Sequence, residues 1–177
     1  MNKQPEVLLQ ARRFQVLRIS RRTPDGSTHT HEVVKHPGSV VILPVLAPDQ
    51  VCLIRNYRVA VGETLWELPA GTLERDEDPT DCARRELVEE TGYRAGHLEK
   101  LCEFFLSPGI LHERMHLFLA TDLQAGAATP ESGEEIQTHV MSLDDALRLI
   151  ETGELHDAKS LVGLLMYDRM QRQKLGN

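Results

Sequence analysis

Apolar and β-branched residues fall into short runs along the chain, separated by Gly, Pro and Asp, as expected of strands joined by turns. Residues 14–19 and 28–34 flank a Pro- and Gly-containing turn at residues 23–27 and so predict a hairpin. Residues 40–46 and 51–55 are apolar runs of strand length and predict central strands. Further strands are predicted over residues 98–106, 115–121 and 136–141.

Other segments carry the start and stop signals of helices. A short helix is predicted over residues 79–91, because Asp78 can cap its N-terminus and Gly92 ends the apolar periodicity. Ser142 and Asp157 are the N-cap candidates of two later helices. Strands separated unevenly by helices predict a mixed α+β sandwich rather than a regular parallel α/β fold.

Composition supports one globular domain of ordinary size. The chain has 177 residues, of which 41% are hydrophobic and 27% charged, and it contains no internal repeat or low-complexity tract. Twenty Lys and Arg residues against twenty-seven Asp and Glu give a formal charge of −7. Bulk charge therefore does not attract nucleic acid, and a phosphate-bearing partner must be met locally or through a metal.

Cysteines and apolar stretches bear on the location of the protein. Cys52, Cys82 and Cys102 lack the paired spacing of a zinc site or a disulfide scaffold, so a reducing cytoplasm is the simplest location. Residues 1–13 are too polar for a signal peptide, and the longest apolar stretch, residues 40–47, is broken by a proline. We expect a cytoplasmic protein that enters no membrane.

The acidic residues are concentrated in one window. Residues 63–92 hold ten acidic and three basic residues, so this window alone carries a formal charge of −7. Within it, Glu86, Glu89 and Glu90 share one face of the predicted helix. Each like-charged pair costs roughly 0.2–0.5 kcal/mol in an isolated helix. Mg²⁺, which prefers hard oxygen ligands, would remove that conflict; a plain solvated helix face is the alternative.

Arg85 immediately precedes the glutamates and can hold them in place through ion pairs. Asp81, four positions earlier on the same helix, can pair with it as well. Glu77, just ahead of the helix, is the other candidate partner. The window therefore predicts an ordered cluster of charges.

Seven fixed residues over positions 71–93 form a recognisable pattern. The pattern consists of Gly71, five residues, Glu77, seven residues, Arg85-Glu86-Leu87, one residue, Glu89-Glu90, one residue, and Gly92-Tyr93. It resembles the Nudix box at every fixed position. The resemblance implies a Nudix fold, in which a mixed β-sheet is sandwiched between helices, here with an N-terminal β-hairpin extension.

The resemblance also implies a chemistry. Nudix hydrolases cleave a nucleoside diphosphate linked to another group, by attack of water on phosphorus. It assigns Glu86, Glu89 and Glu90 as ligands of Mg²⁺ or Mn²⁺, joined by the backbone carbonyl of Ala70, and it places Arg85 among the catalytic residues. A bound cation would offset the repulsion between the acidic window and an anionic substrate.

Segments that flank the box are similar to the ADP-ribose pyrophosphatase group. The similarity is carried by residues 32–34, 36–38, 55–58 and 66–71, and by Ser107-Pro108-Gly109, whose proline lies 15 residues past the box. It implies hydrolysis of ADP-ribose to AMP and ribose 5-phosphate. A GDP-mannose or other nucleoside diphosphate sugar hydrolase is one alternative, and an ADP-ribose-sensing binding protein without catalysis is another.

Matching positions in that group imply a set of substrate-binding residues. Arg58, Glu74 and Glu113 are expected near the diphosphate and ribose, with Gly109 in the adjacent loop. Arg58 also has a physical case, because a guanidinium offers two parallel donors to a phosphate. An ordinary surface ion pair is the alternative for Arg58, and a solvated loop position is the alternative for Glu113.

A loop ahead of the strand at residues 136–141 supplies the candidate general base. Matching on the start of that strand makes Glu134 the loop glutamate, while Ser132 takes a position that is acidic in several relatives. Our hypothesis is that Glu134 orients or deprotonates the attacking water when the loop closes, with Gly133 as the hinge.

The N-terminal segment predicts an assembly. We interpret residues 1–38 as a β-hairpin region involved in dimerisation and residues 39–177 as one Nudix domain. In the resembling enzymes this segment pairs with a second subunit, so we expect a homodimer, in which Phe14 and the strand around Val33 bury apolar surface. Trp66 is expected to pack in the core rather than to form an adenine-stacking platform.

Overall fold

The computed structural model describes residues 4–129 and 135–176. Over these residues the chain forms two sheets and three helices. The strands are β1 (Glu6–Gln10), β2 (Gln15–Arg22), β3 (Thr28–Lys35), β4 (Ser39–Ala47), β5 (Gln50–Arg58), β6 (Glu63–Glu67), β7 (Ala70–Thr72), β8 (Arg94–Phe105), β9 (Leu111–His112), β10 (Arg114–Gln124) and β11 (Ile136–Ser142). The helices are α1 (Pro79–Thr91), α2 (Leu143–Glu151) and α3 (Ala158–Leu175).

The first sheet contains the predicted hairpin. Strands β2 and β3 pair antiparallel, and the turn between them is closed by the Asp25 carboxylate, which accepts from the hydroxyl of Thr23 at 2.6 Å and from the N–H of Ser27 at 3.0 Å. Gly26 takes the positive φ of 86° that this turn requires. Strand β1, which the sequence pattern did not predict, extends the sheet on one side, and the short β9 pairs in parallel with β3 on the other.

The second sheet is mixed, in the order β11-β5-β4-β10-β8, with β6 added to β5 and β7 to β4. Strands β4 and β10 run parallel, and the other neighbours run antiparallel. The apolar runs predicted as central strands form β4 and β5 and are buried, except for Leu46 and Arg55 at their ends. Each strand predicted from residue 98 onward is also present: β8 starts four residues earlier than predicted and ends one residue earlier, β10 extends beyond both predicted ends, and β11 extends by one residue at its end.

Helices cover both faces of this sheet. Val41 and Leu43 of β4 pack in a cluster with residues of α2 and α3, whereas Val40 and Ile42 pack on the opposite face with residues of α1. Because both faces are covered, β4 is apolar at successive positions instead of alternating. The predicted α+β sandwich of a mixed sheet between helices is confirmed.

The three helices begin at the predicted caps. The Asp78 side chain accepts from the N–H of Thr80 at 2.8 Å, and Gly92 ends α1 with a φ of 76°. Ser142 and Asp157 cap α2 and α3 in the same way. None of the helices in the described ranges is long and apolar enough to cross a membrane.

The N-terminus of α3 is fastened to the segment that leads from β6 into β7. The N–H of Leu68 donates to Oγ of Ser160 at 2.7 Å, and that hydroxyl donates to the Asp157 carboxylate at 2.5 Å. Further along α3, Gly163 allows close packing, since a Cβ there would lie 2.4 Å from Cδ1 of Leu68. The chain between Glu67 and Gly71 is therefore held against both the sheet and α3.

Candidate active site

A cavity of about 690 Å³ opens where α1, β7 and the N-terminal sheet meet. The box contributes Gly71, Glu74, Arg85 and Glu86 to its wall. Residues from distant parts of the chain complete the lining, among them Arg12, Arg13, Ser39, Arg58, Ala70, Glu113 and Lys159. A cavity of this size accommodates a nucleotide-sized ligand.

Arg85 is the hub of the charged cluster on α1. Its Nη1 donates to Oε1 of Glu86 at 2.7 Å and to Oε2 of Glu89 at 2.9 Å. Its Nε and Nη2 donate to the two oxygens of Glu77 at 3.0 and 3.1 Å. These hydrogen bonds raise the pKa of Arg85 and lower that of Glu77. Glu77, rather than Asp81, is thus the further partner of Arg85.

Two backbone positions of β7 are fitted to the glutamates. A Cβ at Gly71 would lie 1.8 Å from Cδ of Glu86, so only glycine leaves room for that carboxylate. The N–H of Ala70 donates to Oε2 of Glu90 at 2.9 Å, and Glu90 is only 3% exposed. Strand β7 therefore holds two of the three glutamates from one side, while Arg85 holds Glu86 and Glu89 from the other.

The donor set has the chemistry that a hard divalent cation requires. Glu86, Glu89 and Glu90 supply carboxylate oxygens, and the main chain at Ala70 lies beside Glu90. Among the residues that the structure describes, no three His, Cys, Asp or Glu side chains are grouped to hold a metal ion. Glu86 and Glu89 instead pair with the guanidinium of Arg85, and Glu90 accepts from the main chain.

Two further cations, Arg58 and Lys159, line the same cavity. Arg58 donates from Nε and Nη2 to the two oxygens of Glu67 at 2.7 and 2.6 Å. Lys159 donates to the same carboxylate at 2.5 Å and pairs with Asp157 at 3.0 Å. Arg58 is thus ion-paired, as the alternative interpretation held, but its partner is a fully buried glutamate and its side chain lines the cavity.

Sequence reasoning did not select Glu67 and Lys159. The available signal was a charged residue at position 67 between two large apolar residues, Trp66 and Leu68, because a carboxylate in such a run is buried only when it is paired. Arg12 and Arg13 were also missed, since only the turn in which the N–H of Ala11 bonds the carbonyl of Phe14 brings them to the cavity.

Two of the other predicted substrate-binding residues, Glu113 and Glu74, also line the cavity. Glu113 accepts from Oγ of Ser39 at 2.7 Å and pairs with Nδ1 of His36 at 3.2 Å, so it is a half-enclosed lining residue rather than a solvated loop position. Desolvation lowers the pKa of His36, and the Glu113 carboxylate opposes this. Glu74 is exposed at the cavity edge.

Two predicted positions are not brought to the cavity wall. Gly109 lies in the exposed turn between β8 and β9 and is not part of the described lining. Glu134 lies outside the described residues. Trp66 packs at the edge of the core, where its ring meets that of His139 at 4.8 Å and the guanidinium of Arg55 at 4.9 Å.

Comparison with known proteins agrees with this arrangement. The ADP-ribose pyrophosphatase of Bacillus subtilis (strain 168) is 39% identical over 156 residues, which are 85% of this chain and 84% of that protein. A GDP-mannose pyrophosphatase of Citrobacter koseri is 37% identical over 159 residues, 84% of this chain and 82% of its own length.

A solved structure and a family model extend the comparison. The crystal structure of an ADP compounds hydrolase has the same fold, with a TM-score of 0.84 and 21% identity over 98% of this chain and 95% of its own. The model of the NUDIX domain matches residues 35–162, which include the box, β4 to β11 and the first part of α3. The chain therefore belongs to the Nudix hydrolase family.

Proposed function

We propose that this protein hydrolyses the diphosphate bond of ADP-ribose to AMP and ribose 5-phosphate, with Mg²⁺ as the divalent cation. The observation that carries the proposal is that one cavity is lined both by a box carboxylate, Glu86, and by the guanidinium of Arg58. Arg85, which bonds Glu86, lines the same cavity. The similarity to the Bacillus subtilis ADP-ribose pyrophosphatase supports the choice of substrate.

Each group of residues has a distinct task in this proposal. Glu86, Glu89, Glu90 and the carbonyl of Ala70 would hold the cation, and Mn²⁺ suits the same oxygen donors. A divalent cation at this position neutralises the diphosphate, polarises the P–O bond and favours deprotonation of the attacking water. Arg85 bridges Glu86 and Glu89, because its Nη1 donates to both carboxylates and so fixes their orientations while its charge offsets their repulsion.

The remaining assignments concern the substrate. Arg58 would present a guanidinium to the diphosphate and Glu113 would accept hydrogen bonds from ribose hydroxyls, and both residues line the cavity, which supports these assignments. Glu74, at the cavity edge, is assigned to the region of the diphosphate and ribose as well. Gly109 retains its assignment from the sequence match alone. A cytoplasmic location is also proposed, on the basis of the three free thiols.

A second candidate is the hydrolysis of GDP-mannose or another nucleoside diphosphate sugar. The similarity to the Citrobacter koseri GDP-mannose pyrophosphatase favours it specifically. Both substrates contain the diphosphate that we assign to the charged residues of the cavity. Selectivity between the two substrates must therefore depend on the base and the sugar. Sensing of ADP-ribose without hydrolysis is disfavoured, because every box carboxylate is present.

A substrate panel tests the proposed function. With Mg²⁺, we expect ADP-ribose to give the highest kcat/KM among ADP-ribose, GDP-mannose, UDP-glucose, dinucleoside polyphosphates and NADH. Removal of the metal with EDTA should abolish hydrolysis, and readdition of Mg²⁺ should restore it. Faster turnover of GDP-mannose would establish the second candidate instead, whereas binding of ADP-ribose without hydrolysis of any compound would establish a sensor.

Replacement of Gly71 tests the position of Glu86. The Cβ of Gly71→Ala would overlap the Glu86 carboxylate at 1.8 Å, so the carboxylate must move, and we expect kcat to fall about 100-fold, as for other misplaced catalytic groups. The melting temperature should change little, since only the far end of a side chain is displaced. Gly176→Ala is the matched control, because its Cβ meets its nearest neighbour at 3.4 Å. An unaltered kcat in Gly71→Ala would argue against a catalytic Glu86.

The loop glutamate is tested by comparing two amide variants. If Glu134 is the general base, Glu134→Gln should lower kcat by about 10²- to 10⁴-fold while leaving KM nearly constant. Glu90→Gln, which alters a proposed metal ligand, should in addition raise the Mg²⁺ concentration needed for half-maximal rate. Wild-type turnover by Glu134→Gln would remove Glu134 from the activation of water.

We also propose a homodimer in which residues 1–38 supply the interface. Support comes from apolar side chains that the N-terminal sheet exposes, with Val7 52% and Leu9 51% accessible on the edge strand β1 and Phe14 38% accessible beside it. Sedimentation at micromolar concentration should give a species of twice the 20.0 kDa chain mass.

Substitution at that edge strand provides the control for the dimer. The double variant Val7→Lys, Leu9→Lys should sediment as a monomer, because it places charge in the interface. Leu165→Lys, which changes an equally exposed residue on α3, should remain dimeric. A wild-type protein that sediments only at 20.0 kDa would overturn the proposed dimer.

A further inference from the structure

Glu67 is a fully buried carboxylate that the proposed chemistry does not yet use. It ends β6, has no exposed surface, and lies behind Arg58 and Lys159, both of which line the cavity. A buried carboxylate is costly unless it is paired and hydrogen-bonded. Its presence next to the cavity therefore calls for a physical reason.

Two cations share Glu67. Arg58 bonds both of its oxygens, and Lys159, itself only 8% exposed, bonds Oε2. Burial alone would raise the pKa of Glu67, but the hydrogen bond from Arg58 and the charge of Lys159 outweigh burial and hold that pKa below its usual value. Glu67 is thus a charged carboxylate that is paired with two cations, Arg58 and Lys159.

The bonds to Glu67 also determine the orientation of Arg58. They use Nε and one N–H of Nη2, which form one edge of the guanidinium, out of five N–H donors in all. The adjacent edge, formed by Nη1 and the second N–H of Nη2, carries donors that these bonds to Glu67 do not use. The Arg58 side chain is 38% exposed and shares the cavity lining with Ala70 and Glu86, so a phosphate in the cavity can meet this outer edge in a bidentate manner.

We propose that Glu67 is a positioning residue for the hydrolysis, which clamps Arg58 by one edge so that the other edge receives the diphosphate of the substrate. Lys159 acts as the counter-charge that keeps the clamp ionised and connects it to the N-terminus of α3. The inference rests on the proposed function, because it assigns Arg58 to the substrate. The competing role is structural: Glu67 would only fasten α3 to β6.

A double-mutant cycle separates the two roles. In Glu67→Gln, the amide cannot accept both hydrogen bonds, Arg58 loses its fixed orientation, and KM for ADP-ribose should rise about 10-fold with kcat changed less than about 3-fold. In the Arg58→Ala background, the same substitution should leave KM unchanged, because Glu67 acts through Arg58. An equal rise of KM in both backgrounds would show a structural role and overturn the proposal.

Two further variants keep the cycle interpretable. Glu63→Gln makes the same change at an exposed position of β6 and should leave KM unchanged. If Glu67→Gln unfolds, the charge-balanced pair Glu67→Gln, Lys159→Met also removes the buried ammonium that has lost Glu67 as a partner. This pair should melt close to the wild type and still show the raised KM, whereas a wild-type KM in a folded pair would contradict the clamp.

A binding measurement distinguishes failure of the clamp from failure of the proposed function. If the wild type does not hydrolyse ADP-ribose, the proposed function fails, and calorimetric titration with ADP then tests the clamp alone. The clamp predicts that Glu67→Gln binds ADP more weakly than the wild type, and that adding Glu67→Gln to Arg58→Ala causes no further loss. Equal ADP binding, or none, by the wild type, the two single variants and the Arg58→Ala, Glu67→Gln double variant would overturn the clamp.

Discussion

The crowding of like charges on one face of α1 is the constraint on which the site depends. Glu86, Glu89 and Glu90 repel one another, and two sets of contacts offset this repulsion. Arg85 bonds Glu86 and Glu89, while β7 receives Glu90 on an N–H and leaves room for Glu86 at a glycine. The cluster is therefore held in place by its neighbours, ready for a cation that binds oxygen ligands.

The glutamates keep their positions only if α1 is packed rigidly against the rest of the fold. The second sheet provides the surface on which α1 packs. The opposite face of α1 carries Cys82, Ala83 and Leu87, which pack on Val40 and Ile42 of β4. Helices α2 and α3 cover the other face of the same strand through Val41 and Leu43. Because β4 is buried on both sides, the sheet cannot slip by one residue without exposing an apolar face or burying a polar one.

The cavity brings charges of both signs together. The box residues in its lining include two acids, Glu74 and Glu86, and two arginines, Arg75 and Arg85. Arg58 and Lys159 line the same cavity and share a buried carboxylate, Glu67. In the proposed function, a diphosphate in this cavity would meet guanidinium donors as well as the carboxylates that we propose hold a cation. The acidic window and the anionic substrate class are therefore compatible.

Local signals explain what the sequence by itself determined. The span of α1, its caps at Asp78 and Gly92, and the shared face of the box glutamates depend on spacing within about one turn of helix, and the structure reproduces them. The hairpin and the apolar central strands were predictable for the same reason, whereas β1 and β9 were not, because a strand at a sheet edge or of two residues carries little periodicity.

Only the tertiary structure decided which distant residues share the cavity. Lys159 meets Glu67 from 92 positions away, and Ser39 meets Glu113 across 74 positions, through the docking of a helix and the return of a strand. Local periodicity does not reveal such partners: the position of Glu67 between Trp66 and Leu68 indicates that it is paired, but not that Lys159 is the partner. Their pairing is specified by how the elements pack, and it exists only once the chain has folded.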